Sequence, residues 1–207
     1  AISAVGGTAE IAGQTVNGAA LIFSSQMGVA QSLTALDPSV KYMLFGFSKV
    51  FGCIGLTLSF IKTAKPERKT EVKGMLIPLL FVAVLAGITE PIEFIFLFVS
   101  PLLWLVHSLL DGIFQVLLFV LGARLPFSSG IISAIPYMIA LPINLTKWYI
   151  TFGLGVIGIA AWYFSFVFLI QRFNIQTPGR EEELAENISS GNLEASKGLG
   201  DIHDIIR

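Results

Sequence analysis

Gly87-Ile88-Thr89-Glu90-Pro91-Ile92-Glu93-Phe94 sets two carboxylates, a hydroxyl and a proline inside an otherwise apolar run. Residues 75–89 carry no charge, and the block 94–121 behind them is interrupted mainly by His107 and Asp111. A carboxylate at membrane depth costs about 2.5–3.5 kcal/mol on insertion scales. Two of them three positions apart therefore need a use or a partner. Pro91 removes a backbone N–H and biases the residues before it away from helix, and Gly87 loosens the same turn. The stretch predicts a broken helix or re-entrant tip. Irregular backbone at that depth must be buried in protein or wetted, so the freed amides and Glu90 are expected beside a polar cavity.

The rest of the composition agrees with a membrane reading. The chain is 54% hydrophobic and 13% charged, against about 25% charged residues in soluble domains. That balance excludes the ordinary soluble classes and predicts an all-α polytopic membrane protein. A net charge of −1, with the basic residues confined to loops, excludes a nucleic-acid partner. Cys53 is the only cysteine; no intrachain disulfide can form, and in an apolar segment it reads as a small buried hydrophobe. No histidine or cysteine cluster suggests a metal, and no motif calls for a cofactor. The opening Ala1-Ile2-Ser3-Ala4 has neither an initiator Met nor a signal segment, so a piece of a longer polypeptide is expected.

Working outward, residues 11–31 are rich in small side chains, which lets backbones approach closely; a helical hairpin inside a bundle is the expectation. Tyr42 to Ile61 matches the length of a bilayer span, with Lys49 inside it. Lys49 either snorkels or pairs with a carboxylate, or it is a ligand or gating contact. The loop 62–73 holds five basic residues against two acidic ones and should be cytoplasmic. Arg172 and Arg180 place the end of the last span on the same side, so an even number of full crossings lies between. The apolar pieces there are 75–89, 92–121, 131–146 and 148–170, of which only the last is a clean span. The block 92–121, with Pro101 and Gly112, is expected as one tilted or kinked span, and Pro136 and Pro142 break 131–146. Short hydrophobic pieces interrupted by Gly and Pro point to a substrate site in transporters. Asn144, Thr146 and Lys147 follow Pro142 and are candidates to line it. His107 and Asp111 share a helix face, as a proton relay or metal pair, or else as a stabilising intrahelical contact or an interfacial position. The expected organisation is a membrane domain over 1–173, a solvated linker over 174–200 and the start of a further domain over 201–207, with His203 on its surface.

The Gly87–Phe94 octet resembles the signature of the sugar-translocating membrane domain, enzyme IIC, of the bacterial phosphoenolpyruvate-dependent phosphotransferase system (PTS), glucose/maltose superfamily. Gly6-Gly7-Thr8-Ala9-Glu10 with Gly13-Gln14-Thr15-Val16 is similar to maltose-type members. Phe45-Gly46-Phe47-Ser48-Lys49-Val50-Phe51-Gly52 and Thr63-Ala64-Lys65-Pro66-Glu67 resemble the α-glucoside branch. Phe96-Leu97-Phe98-Val99-Ser100-Pro101-Leu102-Leu103 and Asn174-Ile175-Gln176-Thr177-Pro178-Gly179-Arg180 fit as well. The resemblance covers nearly the whole chain. The family's phosphocysteine motif is absent, Cys53 cannot replace it, and the family's substrate-region histidine is missing.

The resemblance implies a homodimer in the bacterial cytoplasmic (inner) membrane, with a scaffold half and a transport half built around re-entrant hairpins. This chain would be the C-terminal part of that domain, joined to a IIB domain of the same polypeptide that receives phosphoryl groups through IIA and HPr. It implies that Glu90 contacts sugar hydroxyls. An ionised carboxylate can accept from two hydroxyls at once, and the same group can act as general base on the attacking hydroxyl. Glu93 is either a sugar contact or a structural carboxylate paired with Lys49 or another group. Thr89 either binds sugar or satisfies the broken backbone; Lys49 and Asn144 complete the candidate substrate site. The expected function is uptake of a glucose-type sugar or maltose-like α-glucoside coupled to its phosphorylation. The alternative is a proton-coupled secondary sugar transporter with a relay through His107, Asp111 and Glu93.

Overall fold

The computed structural model describes residues 7–181; His203 and the expected domain start at 201–207 lie outside them. The chain opens with a β-hairpin, β1 (Thr8–Ile11) against β2 (Gln14–Asn17), antiparallel with Thr8 opposite Asn17. Ala12 and Gly13 both take positive φ, the two-residue turn whose twist matches paired strands. Thr8 Oγ1 closes the open end on Asn17 Oδ1 at 2.6 Å. This corrects the all-helical expectation for residues 11–31. Helix begins only at α1 (Ala19–Gly28), whose buried Ala19, Ile22, Phe23 and Gln26 form one face.

The span expected over 42–61 is a composite. A 3₁₀ segment, Pro38–Met43, is followed by an irregular link, a π-helical turn over Ser48–Gly52, and α2 (Cys53–Thr63). Then come α3 (Lys69–Ala86), α4 (Glu90–Leu97), α5 (Pro101–Leu121), α6 (Gly130–Ala140), α7 (Ile143–Thr146) and α8 (Trp148–Arg172). Among the described residues, Pro38–Thr63, α5 and α8 are long and apolar enough to cross a membrane. The apolar block after the octet is two helices, with Pro101 in the first turn of the second. Pro136, expected to break the next piece, is carried inside α6.

The three long segments pack through close backbone approach and aromatic rings. A Cβ on Gly55 of α2 would lie 2.7 Å from both the Ile159 carbonyl and Trp162 Cβ of α8, so only glycine permits this crossing. Phe47, Phe114 and Trp162 stack, with centroids 5.1 Å apart for the first two and 5.3 Å for the last two. Large apolar side chains such as Phe98, Leu109, Val120, Val156 and Phe164 remain exposed, as a lipid-facing surface requires. Cys53 is fully buried and free, as expected.

Beyond α8 the chain folds back. Thr177, Pro178 and Gly179 are buried, and the Lys65 amide donates to the Gly179 carbonyl at 2.9 Å. Arg180 donates to the carbonyls of Thr63 (3.1 Å) and Ile175 (3.2 Å) and to Asn174 Oδ1 (2.8 Å). The basic loop and the end of α8 thus lie together, the arrangement that the placement of both on one membrane side requires. Arg180→Ala removes hydrogen bonds from a charged donor, each worth about 1.5–3 kcal/mol. The expected result is hydrogen exchange at the Lys65 amide roughly tenfold faster or more, with amides in α8 unchanged.

Candidate functional site

The octet breaks as its residues predict. Helix α3 stops at Ala86, Gly87 takes the left-handed conformation (φ 72°), and α4 begins at Glu90 with Pro91 in its first turn. The Gly87 amide completes α3 on the Ala83 carbonyl at 2.9 Å, and the Thr89 carbonyl accepts from Ile92 and Glu93 at 3.0 and 2.9 Å. Among the described residues the amides of Ile88, Thr89 and Glu90 have no backbone acceptor. The apolar part of α3, residues 74–86, is about 20 Å long at 1.5 Å per residue, less than a hydrocarbon core of about 30 Å. Phe96 of α4 packs against Phe60 and Phe166 at 6.1 and 5.6 Å between centroids, near the ends of α2 and α8 that adjoin the basic loop.

Around this break the predicted residues divide. Thr89 is buried, Glu93 half-buried and Glu90 exposed. Glu90 makes no hydrogen bond or ion pair among the described residues; the single ion pair there is Arg68–Glu181 at 3.1 Å. The described residues do not close a cavity over its carboxylate: it stands on an open face at the head of α4. Two carboxylates in a helix's first turn also complement its dipole. A polar cavity of about 380 Å³, lined in part by Glu10, Gln26 and Asp37, lies at the hairpin tip, and no predicted site residue reaches it.

Lys49 does not pair with Glu93, which corrects one of the two structural readings of both residues. Its Nζ donates to the Ser128 carbonyl at 3.1 Å. The turn that carries Ser128 also meets the octet. A Cβ on Gly87 would fall 2.5 Å from the Gly130 amide nitrogen and 2.9 Å from the Ser129 carbonyl carbon. Pro126-Phe127-Ser128-Ser129-Gly130 was not singled out from the sequence as part of the site, although Pro, Ser and Gly clustered between apolar runs signal a turn. Asn144 is exposed on α7, past the far end of α6, about 15 Å of helix from Gly130.

His107 does not bond to Asp111. Its Nδ1 accepts from Trp162 Nε1 at 2.9 Å, and both rings are buried. Accepting at Nδ1 places the imidazole proton on Nε2. Glu93 and Asp111 both lie within electrostatic range of His107, and these two with Lys49 within range of Cys53. Asp111 Oδ1 is buried with no hydrogen-bond partner among the described residues. No three His, Cys, Asp or Glu side chains among the described residues converge on a metal-sized centre.

A chain that carries this octet at a helix break also matches a family model. The model for the phosphotransferase system, EIIC, covers residues 1–112, more than half of the 207 residues. The chain belongs to the EIIC family. This EIIC chain is 37% identical to the maltose-specific EIICB component of Escherichia coli (strain K12) over 186 residues, 88% of the chain and 35% of that protein. It is 40% identical to the alpha-glucoside-specific EIICB component of Fusobacterium mortiferum over 174 residues, 82% of the chain and 33% of that protein. Against the glucose-specific EIICBA component of Staphylococcus carnosus the identity is 37% over 189 residues, 90% and 27% of the two. The EIIC chain spans about a third of the length of the first two of these relatives. Membership in EIIC makes it a multi-pass protein of the bacterial cytoplasmic membrane, in keeping with the three span-length apolar segments among the described residues.

Proposed function

We propose that this chain is the C-terminal, transport part of a PTS sugar permease. It would take a glucose-type sugar or maltose-like α-glucoside across the membrane, coupled to phosphorylation by a phosphocysteine IIB domain. The observation that carries the reading is Glu90, an uncommitted carboxylate at the head of α4 where two apolar helices break. In this reading the α3–α4 turn is re-entrant, and the open face of Glu90 is the wall of the sugar site that the rest of the intact protein closes. Glu90 accepts hydrogen bonds from sugar hydroxyls, charge-assisted and so stronger than neutral ones. As general base it takes the proton of the attacking hydroxyl while the oxygen–phosphorus bond forms and the phosphorus–sulfur bond to IIB breaks. Thr89 and Glu93 border the same turn. The IIB domain, its IIA and HPr donors and a second copy of the chain are the partners this reading requires. The chain's relatives include proteins whose names state maltose, alpha-glucoside and glucose specificity, which is why these sugars are proposed.

Glu93 and Asp111 each lie within electrostatic range of the buried His107, which favours the proton-coupled alternative as the competing reading. One experiment separates the two. Vesicles that contain the full-length protein are expected to deliver sugar phosphate when supplied with phosphoenolpyruvate and the phosphocarriers, and to do so with an uncoupler present. Accumulation of unmodified sugar that an uncoupler abolishes would overturn the proposal.

A further inference from the structure

We infer that Lys49 is a positioning residue for the turn that carries Glu90, acting through the Phe127–Gly130 turn rather than by holding the sugar. The inference rests on the reading of Glu90 as the sugar ligand. Lys49 is half-buried, and the direct partner of its ammonium is a backbone carbonyl, Ser128 O at 3.1 Å. It sits in the π-helical turn Ser48–Gly52. Such a turn re-aims side chains relative to the flanking helix and recurs at functional sites.

Ser128 belongs to a wedge held on two sides. On one side the Phe127 amide donates to the Phe45 carbonyl at 3.0 Å, and Gly46, with φ 89°, presses its α-carbon face on the Phe127 carbonyl. On the other side Gly130, with φ 64°, meets α3 so closely that a Cβ would lie 2.5 Å from the Val84 carbonyl oxygen and 2.7 Å from the Gly87 nitrogen. Gly87 and Gly130 therefore touch backbone to backbone, with no side chain between them to absorb a shift. Glu90 follows Gly87 by three residues across a segment whose amides have no backbone acceptor among the described residues, so a displacement at this joint reaches its carboxylate. Misplacement of a reacting group by about 1 Å can cost roughly a hundredfold in rate. Lys49 is the charged pin in the joint: its bond fixes Ser128, Ser128 leads directly into Ser129 and Gly130, and those bear on Gly87.

A lysine that gripped the sugar itself would also weaken binding when replaced, and a double-mutant cycle tells the two roles apart. The probe is radiolabelled maltose, with methyl α-glucoside alongside, bound at equilibrium to the full-length protein in detergent. Lys49→Met is expected to weaken binding about tenfold, and Gly130→Ala, which touches no sugar-facing side chain, to reproduce that loss. Lys49→Arg keeps a donor for the Ser128 carbonyl and is expected to stay within about threefold of the parent. In a Glu90→Gln background, Lys49→Met is expected to cost less than about twofold, because coupled sites are not additive. Full additivity with Glu90→Gln, or a Gly130→Ala protein that is folded by thermal melt and binds normally, would overturn the inference. Normal binding and phosphorylation by Glu90→Gln alone would instead remove the underlying reading of the site.

Discussion

Glu90→Gln is expected to lower phosphoenolpyruvate-driven sugar phosphorylation by about 10²–10⁴-fold, the range that a positioned general base contributes, while the protein stays folded. The two halves of this expectation have separate causes. Glu90 is exposed and makes no contact that the described residues would miss. A surface substitution of this kind changes stability by about 0.5 kcal/mol or less. The amide has the shape of the acid but lacks its charge. It offers one acceptor oxygen where the carboxylate offers two, and it cannot take a proton from a hydroxyl. Glu93→Gln is the informative comparison, because Glu93 is half-buried and within range of His107 and Cys53. A loss of activity there should come with a shift in melting temperature, whereas Glu90→Gln should show none. If Glu90→Gln phosphorylates maltose at the parental rate, with expression and melting unchanged, the carboxylate is not part of the site.

How far this could be read from the residues depends on how local each cause is. The break at Gly87–Thr89 was legible because Gly87 and Pro91 act on their own backbone. Pro101 acts locally too, yet the block 92–121 was expected as one tilted or kinked span, and it is two helices parted at Phe98–Ser100. The hairpin Thr8–Asn17 was not legible as strand. Its strands are four residues each, too short for alternation to compete with a run of small residues that also suits close-packed helices. Pro136 shows the reverse error: a helix held by neighbours carries a proline that propensity alone would use as a stop. The contacts that define the site were out of reach for another reason. Lys49 meets Ser128 across 79 positions, and nothing in either segment states that pairing. An intramembrane lysine suggests a carboxylate partner by charge, yet a backbone carbonyl serves as well. For His107 a contact with Asp111, four residues on, was one of the readings left open; the ring is instead directed across the interface to Trp162 of α8.

That interface carries the largest expected effect on stability. Trp162 is fully buried, stacks on Phe114 at 5.3 Å, and lies against Gly55 of α2 and Gly52 of the π-helical turn before it. Trp162→Ala empties this volume where three segments meet, and such truncations cost about 3–5 kcal/mol. In a membrane the loss is mainly of dispersion contacts, since lipid offers no hydrophobic gain to compare with. The indole also donates to His107 Nδ1 at 2.9 Å, and a second pair of variants isolates that bond. Trp162→Phe keeps most of the ring volume but leaves a buried imidazole acceptor without a donor, a penalty of about 1–3 kcal/mol. Replacing both partners removes the unsatisfied group as well as the bond, and that exchange can be nearly neutral. The double variant Trp162→Phe/His107→Phe is therefore expected to melt above Trp162→Phe alone. Unfolding of the full-length protein in mixed detergent, followed by near-UV circular dichroism, measures both steps. If the double variant is instead less stable than Trp162→Phe by the full cost of a further core substitution, His107 has an attachment of its own. The nearby Glu93 and Asp111 carboxylates would then be its partners, in place of the indole.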